Sequence, residues 1–371
     1  MTNKSLGLYV HIPFCKRKCS YCDFCSGAGY TQAERHAYIE RLVEEIKGYK
    51  SKPKKKLTSI FFGGGTPSLL TGKEFEKITR SIKENFEISE DFEFTVEANP
   101  GTLDREGLLE YKRLGVNRLS IGLQSIHENE LKILGRIHNY EDFVTVFRMA
   151  REVGFDNINV DLMYSIPEQN SESLKKTLDA VLSLSPEHIS AYSLILEEGT
   201  PLYENRGSYS FPDDDVDAQN YDLICRTLSQ NGYLHYEISN YARNGRESRH
   251  NLIYWRAKEY IGVGVSAHSY YGGVRYSNSS SFNDYLNGVS GDKRPLSARE
   301  RAYEYVMLGL RLGTGISLSK YKEKFGEDFL LGREEIIGRL RENGLLDMRE
   351  DRIFLTEKGL YVSNAVLVEL L

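Results

Sequence analysis

The sequence has few cysteines, one tryptophan and no long apolar run among its 371 residues. A membrane-spanning helix needs about 18 or more consecutive apolar residues, and the first residues, MTNKSLGLYVH, lack the apolar core of a secretory signal. These absences predict a folded, soluble protein of the cytoplasm. The hydrophobic content of 40% is enough for a large core and a second, smaller domain.

An excess of positive charge is also lacking. The chain has 48 basic and 53 acidic residues, for a net charge of −5. No overall basic field would therefore attract nucleic acid, and we predict no nucleic-acid partner. One local basic run, Lys52, Lys54, Lys55 and Lys56, is interpreted as a solvated loop that precedes a strand.

Four of the five cysteines stand close together, in HIPFCKRKCSYCDFCSG. The fifth, Cys225 in DLICRTL, is interpreted as a small buried hydrophobic residue. In a reducing compartment, clustered cysteines indicate metal or redox chemistry more often than disulfides. The cluster therefore predicts a metal site.

The spacing of the cluster narrows the choice of metal. Zinc sites with four thiolates usually combine two short cysteine pairs, and ferredoxins carry C-x2-C-x2-C-x3-C followed by proline; neither matches the spacing C-x3-C-x2-C-x2-C seen here. Zinc stays open as a poorer match. Cys15, Cys19 and Cys22 suit a [4Fe-4S] cluster that keeps one iron open for a substrate, and we predict that Cys25 does not ligate it, because a fourth thiolate would close that position.

The segment YVHIPFCKRKCSYCDF resembles the radical S-adenosyl-L-methionine (SAM) superfamily. Within it, the segment is similar to the branch that contains oxygen-independent coproporphyrinogen III dehydrogenase and the HemW-type haem chaperone. The resemblance implies a [4Fe-4S] cluster on the first three cysteines, SAM chelated by the open iron, and an electron donor that reduces the cluster. In such proteins the cofactor supplies the radical chemistry, and the protein orients it.

Repeated strand and helix patterns follow the cysteines. Six apolar runs predict strands: LGLYVHI, LTSIFF, FEFTVE, RLSIGL, INVDLMY and HISAYSLI. Segments such as AYIERLVEEI and FEKITRSIKENF have apolar residues at helical spacing. Strands that alternate with helices predict a parallel sheet, and six units predict an α/β fold built on a partial (β/α)6 TIM-type barrel, with function at the carboxyl ends of the strands.

Glycines and polar residues stand at these predicted strand ends. By the resemblance, the SAM pocket contains Tyr9, Gly63, Gly64, Gly65, Thr66, Glu97, Gln124, Arg136 and Asp161. Glu97 and Asp161 would accept ribose hydroxyls or the ammonium group, and the forked guanidinium of Arg136 would pair with the SAM carboxylate. The alternative is that the glycines only form a turn and that the two carboxylates cap helices or face solvent. Ser165 in DLMYSIP departs from the family, which usually has Gly there.

Three features favour the HemW-type group over the dehydrogenase. They are the CDF-x-S pattern at the third cysteine, the eight residues before Tyr9, and RHN-x2-YW with His250. The dehydrogenase has a longer segment before its cysteines that helps enclose the substrate. We predict haem, or a related tetrapyrrole, as cargo, with His250 as a candidate haem ligand. The alternative for His250 is a hydrogen-bonded core residue.

The end of the chain predicts a second domain. We predict a radical SAM barrel over residues 1–277, a linker rich in Asn, Ser and Gly over 278–297, and a winged-helix-like α+β domain over 298–371. Residues 297–371 carry 12 basic and 13 acidic residues, so the charge of a DNA-binding wing is missing. We interpret this domain as a substrate cover or a docking module.

The expected function is that of a haem chaperone that delivers haem to a respiratory haemoprotein. The alternatives are coproporphyrinogen III dehydrogenation and radical SAM methyl transfer, so the sequence leaves open whether the protein is an enzyme. Expected partners are haem, a haem-receiving protein and an electron donor. Peripheral membrane contact and a monomer or homodimer are compatible with the sequence.

Overall fold

The computed structural model describes residues 5–50 and 55–371. Lys52 and Lys54 of the basic run, and the first four residues of the chain, lie outside the described residues. Within the described ranges, no helix is both long enough and apolar enough to cross a bilayer.

The structure contains strands and helices in alternation along its first half. The strands are β1 Ser5–Ile12, β2 Lys56–Gly64, β3 Ile88–Ala98, β4 Arg118–Gln124, β5 Ile158–Tyr164, β6 His188–Ser193, β7 Leu234–Glu237, β8 Asn240–Ala242, β9 Tyr260–Val263, β10 His268–Tyr271, β11 Val274–Asn278, β12 Ser290–Pro295, β13 Ile316–Ser317, β14 Leu346–Arg349 and β15 Arg352–Leu355. The α-helices are α1 Gln32–Lys47, α2 Gly72–Asn85, α3 Arg105–Leu114, α4 Glu128–Ile133, α5 Tyr140–Val153, α6 Ser171–Ser183, α7 Pro201–Glu204, α8 Asp214–Gln230, α9 Arg249–Trp255, α10 Phe282–Leu286, α11 Ala298–Gly309, α12 Leu318–Phe325, α13 Glu334–Glu342, α14 Glu357–Tyr361 and α15 Ser363–Leu370.

The six predicted strands are confirmed as β1 to β6. They lie side by side in chain order and pair in parallel, for example Tyr9 with Phe61 across β1 and β2. Every residue of β4 is buried, as expected for a parallel strand covered on both faces. The carboxyl ends of all six strands therefore meet at one edge, where the predicted site residues were expected.

The helices begin where local signals predict them. Thr31 and Thr71 cap α1 and α2, and in both helices the glutamate three residues later completes a capping box. Each helix buries one face, which on α2 includes Phe75, Ile78 and Ile82. This burial holds the helices against the outside of the sheet.

The sheet is larger than the six predicted strands. Its order is β12-β11-β10-β9-β1-β2-β3-β4-β5-β6-β8-β7. Strand β9 pairs in parallel with β1, and the outer strands on both sides are antiparallel. These outer strands have three to six residues and lack a clear apolar alternation, so their pairing depends on the sheet edge that they join.

Residues 278–297, expected as a linker, contain regular structure. Helix α10 and strand β12 lie within them, and β12 pairs with β11 in an antiparallel ladder. All six residues of β12, SGDKRP, are exposed. Backbone pairing rather than side-chain burial holds this strand, which explains why its sequence resembles a loop.

The end of the chain forms its own core. A separate cluster of buried apolar residues comes entirely from residues 302–370 and includes Val306, Leu340 and Ile353. Helices α11, α12 and α13 and the β14–β15 hairpin supply the helices and the wing of the expected winged-helix-like domain. The wing has a third strand, β13, that pairs with β15. The α/β barrel with a small winged-helix-like domain is confirmed as the fold class, while the exact domain limits stay a prediction.

Candidate cofactor site

The four clustered cysteines lie on the loop between β1 and α1, at the carboxyl edge of the sheet. Backbone bonds from Cys15 N–H to Gly27 O (2.9 Å) and from Gly27 N–H to Pro13 O (2.9 Å) close the base of this loop. Its middle is held by Ser20, whose N–H donates to Leu134 O (3.0 Å) and whose hydroxyl donates to Ile133 O (2.6 Å). The loop is therefore fixed to the end of helix α4.

Cys15, Cys19 and Cys22 are free and half-buried. Across the described residues, no three metal-ligating side chains converge on one point. Donors reach two of the sulfurs: Arg136 Nη1 lies 3.5 Å from Cys19 Sγ, and Thr66 Oγ1 lies 3.7 Å from Cys15 Sγ. These contacts orient the two sulfurs, and three free thiols on one loop fit the chemistry of a [4Fe-4S] ligand set.

Cys25 has different surroundings. Its thiol donates to Ser280 O (3.4 Å), and its carbonyl accepts from His11 Nε2 (2.8 Å). Burial raises the pKa of the Cys25 thiol, and it also raises that of Cys22, so the carbonyl partner on Ser280 is what sets Cys25 apart. A protonated thiol with a carbonyl partner is a poor metal ligand, although its exclusion from the cluster stays a prediction.

The glycine run GGGTP forms the end of β2 and the turn after it. Gly64 has a φ of +110°, and a methyl group there would lie 2.5 Å from the His11 ring. A methyl group at Gly65 would lie 2.9 Å from Ile12 O, and one at Gly63 would lie 3.1 Å from Glu97 Oε2. Glycine is therefore required at positions 64 and 65 by the backbone conformation and by the close approach of the chain, and Gly63 borders the predicted pocket at Glu97.

Glu97 on β3 and Asp161 on β5 lie near each other at the predicted pocket, close enough for the charge of Asp161 to act on Glu97. Burial, and then the negative charge of Asp161, raise the pKa of Glu97 to about 8, while the N–H of Gly64 (3.2 Å) and the charge of Arg118 act in the opposite direction. Burial also raises the pKa of Asp161, against hydrogen bonds that favour its charged form. Two carboxylates in one half-buried pocket suit a cationic ligand.

Arg136 connects this pocket to the cysteine loop. Besides Cys19 Sγ, its guanidinium donates to Asn99 Oδ1 (2.6 Å) and to Gly122 O (2.8 Å). Asn99 in turn donates to Thr66 Oγ1 (2.9 Å). The sequence analysis missed Asn99, although its place in VEANP directly after β3 was a usable signal.

The remaining predicted pocket residues lie on β1 and β4. Tyr9 on β1 contacts Phe61, with ring centroids 6.2 Å apart, and its hydroxyl lies 3.0 Å from His11 Nδ1. Gln124 at the end of β4 is buried and has a φ of +70°. Ser165 also has a positive φ, +56°, which explains a preference for Gly there, and its hydroxyl donates to Asp217.

His250 lies on helix α9 and is 1% exposed. Its Nδ1 bonds to Ser59 Oγ (2.8 Å) and its Nε2 to Tyr254 O–H (2.8 Å). Burial lowers the pKa of His250 to about 3. In this arrangement neither ring nitrogen is available to iron, so haem ligation by His250 stays a prediction that requires Tyr254 to move.

A partial barrel that carries three free cysteines on its first strand–helix loop, beside a glycine turn and paired carboxylates, has the architecture of a radical SAM protein. In agreement, residues 9–181 match the Radical SAM superfamily, and residues 296–362 match the HemN C-terminal domain. The structure is similar to that of coproporphyrinogen III oxidase (HemN) from Escherichia coli, a radical SAM enzyme, with a TM-score of 0.86 over 99% of this chain and 90% of that one. At 23% identity, this likeness concerns the fold.

Curated relatives define the family more closely. The heme chaperone HemW of Lactococcus lactis is 37% identical, over 100% of this chain and 98% of its own length. HemW of Bacillus subtilis is 36% identical, over 96% of this chain and 97% of its own length. HemW of Escherichia coli is 38% identical, over 71% of this chain and 69% of its own length. The chain belongs to the HemW family of radical SAM proteins.

Proposed function

We propose that this protein is a haem chaperone that binds haem and delivers it to a respiratory haemoprotein. The observation that carries the proposal is the relationship to curated heme chaperones over the whole chain, at 37% identity for the Lactococcus lactis protein. That relationship includes the barrel, the cysteine loop and the C-terminal domain together. A chaperone needs to bind and release haem without converting it.

Two cofactors belong to the proposal. The thiolates of Cys15, Cys19 and Cys22 would hold a [4Fe-4S] cluster, and SAM would lie against the pocket formed by Tyr9, Gly63, Gly64, Gly65, Thr66, Glu97, Gln124, Arg136 and Asp161. When bound, these groups supply one-electron chemistry from the cluster to the SAM sulfonium. Cys25, with its carbonyl partner on Ser280, would stay outside the cluster.

Side chains of this protein would position SAM in this pocket and set the charge around it. Arg136 and Thr66 donate to the sulfurs of Cys19 and Cys15, which orients these two sulfurs. Glu97 and Asp161 would accept hydrogen bonds from the ammonium group or the ribose hydroxyls of SAM. The guanidinium of Arg136 would pair with the SAM carboxylate, in competition with its present acceptors Asn99 and Gly122.

Helix α9 is the proposed contact for haem. Tyr254 and Trp255 on this helix are half-buried and offer aromatic surfaces for a porphyrin. Among the described residues, no acceptor bonds to the buried Nε1–H of Trp255, which leaves a donor for a haem propionate. His250 would ligate the iron only after Tyr254 releases its Nε2.

The partners stay proposals of the same kind. An electron donor would reduce the cluster, and a respiratory haemoprotein would accept the haem, with peripheral membrane contact at that step. The protein would act as a monomer or a homodimer. Residues 298–371, with a balanced charge, would cover the cargo or dock the acceptor, while residues 1–277 hold the cofactors and 278–297 connect the two.

The test is an anaerobic reconstitution of the cluster, followed by haem titration and transfer to an apo-haemoprotein. Haem binding and transfer, with coproporphyrinogen III left intact in the presence of SAM and reductant, would support the chaperone. Multiple turnovers to protoporphyrinogen would instead identify a dehydrogenase, and methylated product a methyltransferase.

Cysteine variants test the cluster within the same experiment. Cys19→Ala should lose the broad visible absorption of the cluster, whereas Cys25→Ala should keep it. Cys225→Ala, on the buried face of α8, is the matched control for the loss of a thiol elsewhere. An unchanged spectrum in Cys19→Ala would refute the cluster ligands.

A further inference from the structure

A chain of buried and half-buried hydrogen bonds lies beneath the candidate pocket and ends on Asp161. Asp161 Oδ1 is 2.7 Å from Asn159 Nδ2, and Asn159 Oδ1 is 2.6 Å from His188 Nδ1. His188 Nε2 is 2.8 Å from the hydroxyl of Tyr236, which is 3.2 Å from the backbone N of Ser248. None of these residues except Asp161 belongs to the sequence-predicted site.

The chemistry of the groups gives every bond a direction. An ionised Asp161 only accepts, so the amide nitrogen of Asn159 faces it and the amide oxygen of Asn159 faces His188. His188 therefore carries its proton on Nδ1, and its Nε2 accepts from the Tyr236 hydroxyl. Tyr236 accepts from Ser248 N–H. All the donors point toward Asp161.

The orientation of Asn159 is fixed further by two serines. Its Nδ2 also donates to Ser120 Oγ (2.7 Å), and its Oδ1 also accepts from Ser190 Oγ (3.1 Å). The amide thus uses all of its hydrogen-bonding capacity. Turning it over would set its oxygen against the Asp161 carboxylate, which is repulsive in a buried setting.

His188 is closed off from solvent, with an exposure of 0%. Burial and the charge of Arg118 hold the pKa of His188 well below its usual range. The ring is therefore neutral, as the direction of the hydrogen bonds requires. A neutral imidazole with one donor and one acceptor completes the chain without adding charge.

We propose that His188 is a positioning residue for the ligand-binding carboxylate: through Asn159, its Nδ1–H tautomer holds Asp161 oriented and charged for a hydroxyl or ammonium donor of the ligand. The proposal rests on the assignment of Asp161 to the SAM pocket. Aligned donors strengthen one another and favour negative charge at the end of the chain.

The other end of the chain reaches helix α9. Ser248 is the N-cap of α9, and its hydroxyl accepts from Asn251 N–H (3.3 Å). Its own N–H is the donor that Tyr236 accepts. His188 therefore also fixes the start of the helix that carries His250, Tyr254 and Trp255.

Two substitutions of His188 test the roles of its two ring nitrogens one at a time. The side-chain amide of Asn reaches the place of Nδ1, and that of Gln reaches the place of Nε2. His188→Asn should therefore keep the bond to Asn159 and bind SAM within about threefold of wild type, whereas His188→Gln should bind about tenfold more weakly, the effect of one lost buried hydrogen bond. The readout is the SAM dissociation constant from calorimetry, with thermal unfolding showing that both variants fold.

A third substitution and a spectroscopic measurement are independent of those variants. Tyr236→Phe removes the donor to Nε2 and should weaken SAM binding less than His188→Gln. In wild type without any ligand, ¹⁵N NMR of the His188 ring should show a protonated Nδ1 and an unprotonated Nε2. The opposite tautomer would overturn the proposal.

The Asp161→Asn variant tells apart the two ways to fail. If Asp161→Asn weakens SAM binding, then His188→Gln in that background should add less than a twofold further loss. If His188→Asn and His188→Gln bind SAM with equal affinity while Asp161→Asn binds it weakly, the role of His188 is refuted and the SAM pocket is not. Unchanged affinity in Asp161→Asn would refute the SAM pocket and the proposal with it.

Discussion

Glu97→Gln is the most informative substitution in the pocket. The pKa of Glu97 is raised to about 8 by burial and by the negative charge of Asp161. The carboxyl is therefore mostly protonated at pH 7. If Glu97 binds the ammonium or ribose of SAM as a carboxylate, its proton must leave when SAM binds.

The size of the effect follows from that pKa. Below pH 8 the affinity of wild type should fall up to tenfold for each pH unit, which amounts to about 50-fold between pH 8 and pH 6. At pH 7, about 0.9 proton per SAM should be released from Glu97. Gln has no proton to lose, so Glu97→Gln should lose this dependence and bind more weakly at pH 8.

The assay is calorimetry in two buffers of different ionisation enthalpy. The amino group of free SAM titrates near the same pH, since α-amino groups have a pKa of about 8. The informative quantity is therefore the difference in proton release between wild type and Glu97→Gln. Equal proton release in the two proteins would refute the reasoning.

The same raised pKa affects folding. A carboxyl whose pKa rises on folding takes up a proton, so the free energy of unfolding falls as the pH rises from the ordinary value of 4.5 toward about 8. The loss is at most about 1.4 kcal/mol per pH unit in that window. The free energy of unfolding, measured with urea, should differ less between pH 5 and pH 8 for Glu97→Gln than for wild type. An equal difference in the two proteins would contradict this prediction.

Two further predictions concern stability, measured by urea unfolding. Gly64→Ala should lower the free energy of unfolding by at least about 2 kcal/mol more than Gly154→Ala. Both positions have a positive φ, but only at Gly64 would the methyl group meet a neighbour, the His11 ring at 2.5 Å. Equal losses in the two variants would contradict the steric argument. Asp217→Ala should cost about 2–3 kcal/mol, since Asp217 accepts from three side-chain hydroxyls. The control Asp222→Ala, on the same helix, loses only an exposed ion pair and should cost under about 1 kcal/mol; similar losses for both would refute the role of Asp217.

The identity of the pocket residues came from the resemblance, and their convergence from the fold. Glu97 and Asp161 are 64 positions apart, yet both lie at the carboxyl edge because parallel strands in chain order bring their ends together. Asn99, His188 and Tyr236 escaped the sequence analysis. The place of Asn99 directly after β3 was a usable signal. Its bond to Arg136, 37 positions away, and the bond between His188 and Tyr236, 48 positions apart, are set by the fold, and no local pattern reveals them.

The sequence by itself determined the six barrel strands, the helices between them and the cysteine loop. These features follow from apolar periodicity, capping boxes and short spacings, all of which act over a few residues. Only the tertiary structure decided the six outer strands of the large sheet, the carbonyl partner of Cys25 and the bonded state of His250. Cys25 meets Ser280 across 255 positions, and His250 meets Ser59 across 191. Contacts at such separations exist only after the sheet has formed, because its pairing brings these segments together.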